Sequence, residues 1–179
     1  MPEKPIYRKL EQNIQNIKQF GSGYDQAAAV FQENREKFRL VFNGAGIGMA
    51  LVDLEGRILD SNPALQHMLG YTEEELRGTS FTEITLPEEI EKEWWVACEL
   101  FRGKRDSYRL EKRYIRKNGQ VLWGRLTATL YRDAENQPRF AIGMLEDITE
   151  QKMAEQALVQ SEKKWRNVLV HTPQAGISL

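Results

Sequence analysis

The sequence predicts an α+β fold: a five-stranded antiparallel sheet with short helices on one face, flanked by a helix at each end. The order of the patterns is the first reason. Two strand-like segments, near 47–53 and 56–61, precede a group of helical signals, and three strand-like segments follow near 107–116, 120–132 and 139–146. That order suits a single sheet with its helices segregated to one side. The second reason is Asn118-Gly119, set between two alternating segments as the strongest short-range signal for a hairpin turn. The third is Asp147-Ile148-Thr149-Glu150, a capping carboxylate three residues ahead of a glutamate, where a strand gives way to an exit helix.

Each element has a local cause. Residues 6–20 place Tyr7, Leu10, Ile14 and Ile17 at alternating three- and four-residue spacing, a narrow coiled-coil seam that Gly21-Ser22-Gly23 ends. A second helix over about 25–42 carries Ala28, Phe31, Phe38 and Phe42 on one stripe. The first two strands form a hairpin about Asp53-Leu54-Glu55-Gly56. Asn62 caps a short helix with Pro63 in its first turn and Gly70 at its end. Thr72 and Glu75 form a capping box for another that Gly78 ends. A longer helix, about 88–102, is expected to bury Ile90, Trp94, Ala97, Cys98 and Phe101. In the fourth strand Leu122, Leu126, Ala128 and Leu130 alternate with Trp123, Arg125, Thr127 and Thr129, so one face is the core side. The fifth strand is apolar on both faces, and both must therefore be covered. The small set, Ala141, Gly143 and Leu145, is expected inside, and Phe140, Ile142, Met144 and Trp123 on an outer patch.

Composition limits the function classes. The 179 residues are 41% hydrophobic and 28% charged, as in a soluble globular chain, and the net charge of -1 argues against a nucleic-acid or membrane-surface role. No apolar run is long enough to span a bilayer, and Met1-Pro2-Glu3-Lys4-Pro5 lacks the apolar core of a secretory signal. A single cysteine excludes an internal disulfide and suits the cytoplasm.

Four stretches together carry a family resemblance. They are Gly46 to Arg57 (GIGMALVDLEGR), Asn62 to Gly78 (NPALQHMLGYTEEELRG), Arg113 to Trp123 (RYIRKNGQVLW) and Glu146 to Gln151 (EDITEQ). In this order, over roughly residues 36–150, the chain resembles a PAS domain with its C-terminal PAC segment. On that basis residues 1–34 are a helical linker and dimerisation segment, 35–147 the PAS domain and 148–169 an exit helix. Residues 162–179 mirror residues 36–51, so 170–179 read as the truncated start of a second PAS-like unit. His171 is then expected in the loop matching Asn43. The resemblance implies a non-enzymatic sensory or relay module in a tandem-PAS signalling protein. Its missing output domain would be a histidine kinase or a cyclic-di-GMP enzyme. The rivals are a haem or flavin sensor and a purely structural dimerisation unit.

The cofactor of such a module is unknown, and the residues argue against two familiar ones. Phe81 stands where the reactive cysteine of the flavin-binding branch falls, and Tyr114, Gly124 and Leu145 offer no amide pair for a flavin edge. The helix that supplies a haem ligand in the family holds no histidine here, and His67 maps to an exposed position. Two histidines and one cysteine, widely spaced, make no zinc pattern, and Cys98 reads as core. His171-Thr172-Pro173 lacks the acidic neighbour of a kinase phosphoacceptor box. The eight basic residues between Arg102 and Lys117 read as a solvated ion-pair ladder, with Arg109, Glu111 and Arg113 on one face. Glu88, Glu89, Glu91 and Glu93 read as a helix N-terminus favoured by the dipole.

Strand alternation and the family's pocket position together place a possible small-molecule site among Met49, Leu51, Tyr114, Leu126, Ala128, Gly143 and Leu145. A homodimer is expected through Phe31, Phe38, Trp123, Phe140, Ile142 and Met144. Signal transmission falls to Asp147, Ile148 and Thr149, at the start of an exit helix whose seam holds Ala154, Leu158, Ser161, Trp165 and Val168.

Overall fold

The computed structural model describes residues 29–171, with side chains through residue 166. The helix expected over 6–20 and the segment 172–179 lie outside the described residues. The chain divides into two units after Gly44. In the first, α1 (29–44) places Phe38 and Phe42 one turn apart, with ring centroids 5.4 Å from each other. It runs past the expected end at 42, so Asn43 is helical.

In the second unit β1 (Gly48–Val52) and β2 (Ile58–Ser61) form the first hairpin. The Asp53 carboxylate closes its turn by accepting from the Glu55 and Arg57 amides, and Gly56 takes a φ of 85° that an L side chain seldom adopts. Next come α2 (Pro63–Leu69), α3 (Glu73–Leu76), a 3-10 turn (Phe81–Ile84) and α4 (Pro87–Phe101). Asn62 caps α2, and Thr72 with Glu75 forms the expected box on α3. A second box, Ser80 with Glu83, starts the 3-10 turn. Then follow β3 (Ser107–Ile115), β4 (Val121–Arg132), β5 (Pro138–Asp147) and α5 (Thr149–His171). His171 thus ends a helix instead of lying in a loop.

The sheet is antiparallel throughout, in the order β2-β1-β5-β4-β3, so the last strand lies at its centre. Register settles the two faces. Ala50 and Ala128 both lie opposite Gly143, Leu126 lies opposite Leu145, and Tyr114 lies opposite Leu122. These face the helices, where Leu65, Leu69, Leu76 and Ile84 complete one apolar cluster, and Leu100, Ala128, Leu130 and Ala141 another. Trp123, Phe140, Ile142 and Met144 lie on the opposite face, half-buried.

Two expectations of strand and helix phase are corrected. Met49 lies opposite Met144 and Leu51 opposite Ile142, so both belong to the outer face, and Gly48, Ala50 and Val52 point inward. The cause is α2, which packs on β1: a Cβ on Gly48 would meet Leu65 Cδ1 at 3.0 Å, and only small residues fit beneath the helix. On α4 the buried residues are Glu93, Ala97 and Leu100, while Trp94 is 44% exposed and stacks at the edge on Phe81. The stripe is turned because Glu93 finds a cationic partner inside the domain.

Gly124 and Gly143 lie on the same inner face and should respond oppositely to a methyl group. A Cβ on Gly124 would fall 2.5 Å from Leu145 Cδ1 and 2.6 Å from Tyr114 Cε2, whereas one on Gly143 meets Leu126 Cδ1 at an ordinary 3.6 Å. Gly124→Ala should cost about 1–3 kcal/mol in urea denaturation through overpacking. Gly143→Ala should be neutral or stabilising by up to about 1 kcal/mol, because it restricts the unfolded chain.

Candidate functional site

Between the inner sheet face, the 3-10 turn and α4 is a cavity of about 70 Å³. Tyr114, Leu126, Ala128, Gly143 and Leu145, five of the seven expected residues, line it. Met49 and Leu51 do not, because of the corrected strand phase, and Ala50 and Val52 take their places. Phe81 forms part of the wall from the 3-10 turn. The space holds about three or four non-hydrogen atoms, far fewer than a haem or a flavin ring system contains. Together with the apolar side chains at Phe81 and Leu145, that size does not fit either group.

The polar end of the cavity is absent from the sequence expectations. Lys112 and Glu93, each 1% exposed, form an ion pair that joins β3 to α4 at the cavity wall. Lys112 Nζ also donates to Thr85 Oγ1 (2.5 Å) and lies 4.1 Å from the Tyr114 ring centroid. Thr85 Oγ1 in turn donates to the Phe81 carbonyl (2.8 Å). Burial raises the Glu93 pKa although Lys112 beside it pulls the other way. Burial likewise lowers the Lys112 pKa against the attraction of Glu93. The Tyr108 phenol, also on the cavity wall, is pushed far up by burial and then by Glu93. The basic stretch is therefore solvated only in part: Arg113 pairs with Glu89 and Arg125 with Glu111 outside, but Lys112 points inward. Period two would have found it, since Lys112 shares the phase of Tyr114 while Glu111 and Arg113 share the other.

The expected transmission residues meet at the start of α5. The Trp123 amide donates to Thr149 Oγ1 (3.0 Å), and the Ile148 amide donates back to the Trp123 carbonyl (2.9 Å). Asp147 accepts from the Thr149 amide (2.9 Å) and from Arg116 (3.1 Å), which also reaches the Met68 carbonyl on α2. Ile148 is buried. On the outer face, Lys152 from α5 pairs with Glu111 (2.7 Å), and Arg125 pairs with Glu111 and with Glu146. Hydrogen bonds from Lys152, then Arg125, lower the Glu111 pKa. Arg113 and Lys152 also lie within 5.6 and 5.7 Å of the Trp123 ring.

Of the remaining candidates, His67 is exposed on α2 and Cys98 is half-buried on α4. Among the described residues no group of three or more His, Cys, Asp or Glu side chains is arranged to hold a metal ion. Nor is any described helix long and apolar enough to cross a membrane. Phe31 and Phe38 are exposed on α1.

A five-stranded sheet wrapped on a small cavity, with an exit helix pinned to its central strands, defines a sensory module. The chain belongs to the PAS domain family, whose profile matches residues 46–150. It is 41% identical over 124 residues to the probable diguanylate cyclase DgcE of Escherichia coli, a match covering 69% of this chain and 11% of that protein. The sensor histidine kinase TmoS of Ectopseudomonas mendocina is 29% identical over 139 residues, covering 78% of this chain and 14% of the kinase. Sporulation kinase C of Bacillus subtilis is 29% identical over 136 residues, covering 74% and 30%. The chain thus spans less than a third of each of these relatives. The PAS domain structure from Colwellia psychrerythraea superposes with a TM-score of 0.59 at 22% identity, covering 67% of this chain and 98% of that one. An RNA-binding light-oxygen-voltage receptor gives 0.61 at 18% identity, covering 72% and 37%. These likenesses show the fold.

Breaking the buried pair has a defined cost and pH dependence. Lys112→Met strands the Glu93 carboxyl and should cost about 3–5 kcal/mol in chemical denaturation, most of it recovered in Lys112→Met/Glu93→Leu. In the single variant Glu93 loses the attraction that opposes desolvation, so its folded pKa rises further above the unfolded value. The folded chain then holds a proton the unfolded chain has released. Stability should fall as pH rises from the ordinary carboxylate range through the raised pKa, and the double variant should lack that slope.

Proposed function

We propose that this chain is a cytoplasmic sensory and relay module that dimerises and passes a ligand- or partner-induced change along α5 to an output domain of the histidine kinase or diguanylate cyclase class. Catalysis then belongs to that output domain. One observation carries the reading: the strands that line the cavity are the strands that hold the exit helix. Leu126 and Leu145 lie opposite each other on the cavity wall, and three residues before Leu126 the Trp123 amide binds Thr149. A shift of β4 against β5 therefore alters the first turn of α5. An arrangement biased by only a few kcal/mol is enough for a relay. The identities to DgcE and TmoS support an output of this class.

The purified chain should retain a small molecule in native mass spectrometry, and Gly143→Leu, which extends a side chain into the cavity, should release it at small cost in stability. Hydrogen exchange at residues 148–153 should differ between the retained and released states. Identical exchange in the two states would remove the relay from this reading.

Dimerisation is supported by exposed apolar side chains on both helices. Phe31 on α1 is 71% exposed and Trp165 on α5 is 66% exposed. Light scattering should report a dimer, and Phe31→Glu or Ile142→Glu should shift it to monomer, since an unpaired carboxylate resists burial. A wild-type chain that stays monomeric at high concentration would reject the homodimer.

A further inference from the structure

Resting on the proposal that the cavity is a ligand site, the side chains on its wall also restrict what enters. We propose that its ligand is a compact, uncharged, largely hydrocarbon molecule of about three or four non-hydrogen atoms. Shape and polarity agree on this. Most of the wall is aliphatic or aromatic, with Ile84, Leu100, Leu126 and Ala128 among its members. The charged groups at its end, with the Thr85 hydroxyl, are already committed to one another. The Lys112 ammonium is engaged by Glu93, by Thr85 Oγ1 at 2.5 Å and by the Tyr114 ring at 4.1 Å. Thr85 spends its own proton on the Phe81 carbonyl.

Among the described residues, the buried side-chain polar atom left without a partner is Arg105 Nε, which does not belong to the cavity wall. The wall therefore carries one positive and one negative charge, paired. An anion entering the space has to draw Lys112 away from Glu93, and a cation has to draw Glu93 away from Lys112. Either exchange strands a buried charge, which is far costlier than leaving the pair intact. A neutral molecule meets no such barrier and gains from contact with the apolar wall. The pair thus acts as a charge filter, selecting by penalty against the wrong ligand.

Ethanol, acetate and ethylamine at neutral pH share a two-carbon frame and differ in charge, which makes them suitable probes. Titrated into the full chain, ethanol should shift the methyl resonances of Leu126, Ala128 and Ala141 and bind at least about tenfold more tightly than either ion. Gly143→Leu should abolish that binding. Acetate or ethylamine binding as tightly, and still blocked by Gly143→Leu, would overturn the neutral-ligand proposal while leaving the cavity as a site. Ethanol binding that ignores Gly143→Leu, or no binding by any probe, would overturn the proposal together with the cavity reading.

Discussion

The ion pair between Lys112 and Glu93 is the constraint around which the interior is organised. It joins the middle of β3 to α4 and takes the Thr85 hydroxyl with it, while a backbone bridge ties Thr85 to Tyr114. The rotation of α4 follows from it, because Glu93 must face inward and Trp94 is thereby turned toward solvent. A buried pair of this kind contributes little net stability, since desolvation consumes much of its attraction. What it contributes is position. An apolar pair would tolerate a helix slipped by a residue, whereas two buried charges do not.

The two faces of the sheet divide the work. Inside, small side chains on β1 and β5 leave a gap between strands and helices, and the charges there are few and paired. Outside, the charges are many and reach solvent, with half-buried Glu111 shared between Arg125 and Lys152 at the first turns of α5. Ion pairs in water are individually weak and salt-screened. The firmer hold on the exit helix comes from the Trp123 backbone, whose amide donates to the Thr149 hydroxyl and whose carbonyl accepts from the Ile148 amide. Because β4 and β5 have one face in each environment, a change inside the domain has a short covalent route to the helix outside.

Most of the fold was legible from local chemistry. The caps at Asn62 and Thr72 and the turns at Asp53-Gly56 and Asn118-Gly119 are short-range devices whose residues are diagnostic wherever they occur. β4 was legible because only one of its faces is apolar. β1 was not: all five residues from Gly48 to Val52 are apolar or small, so alternation cannot tell its faces apart, and bulk is a false guide when a helix packs closely on the strand. The cavity was legible in its β4 wall by alternation and in its β5 wall because the smaller set was placed inside, whereas on β1 the larger residues, Met49 and Leu51, were placed inside. Glu93 and Lys112 were missed through a different error. Each was explained by its charged neighbours in sequence, although period two on β3 had already assigned Lys112 to the interior with Tyr114.

The central place of β5 has a consequence for how the chain is made. Synthesis delivers the β1-β2 hairpin early and the β3-β4 hairpin later, yet the sheet order keeps these two apart until β5 enters between them. Both hairpins therefore wait with an unpaired edge until residue 147 has emerged, and the pairings that join them are the long-range ones that slow folding. α5 begins at Thr149, so the residues that complete the sheet and those that start the helix emerge almost together. A nascent chain therefore cannot anchor its exit helix before the sheet of the sensory domain has closed, so chain order makes a docked α5 the mark of a finished fold.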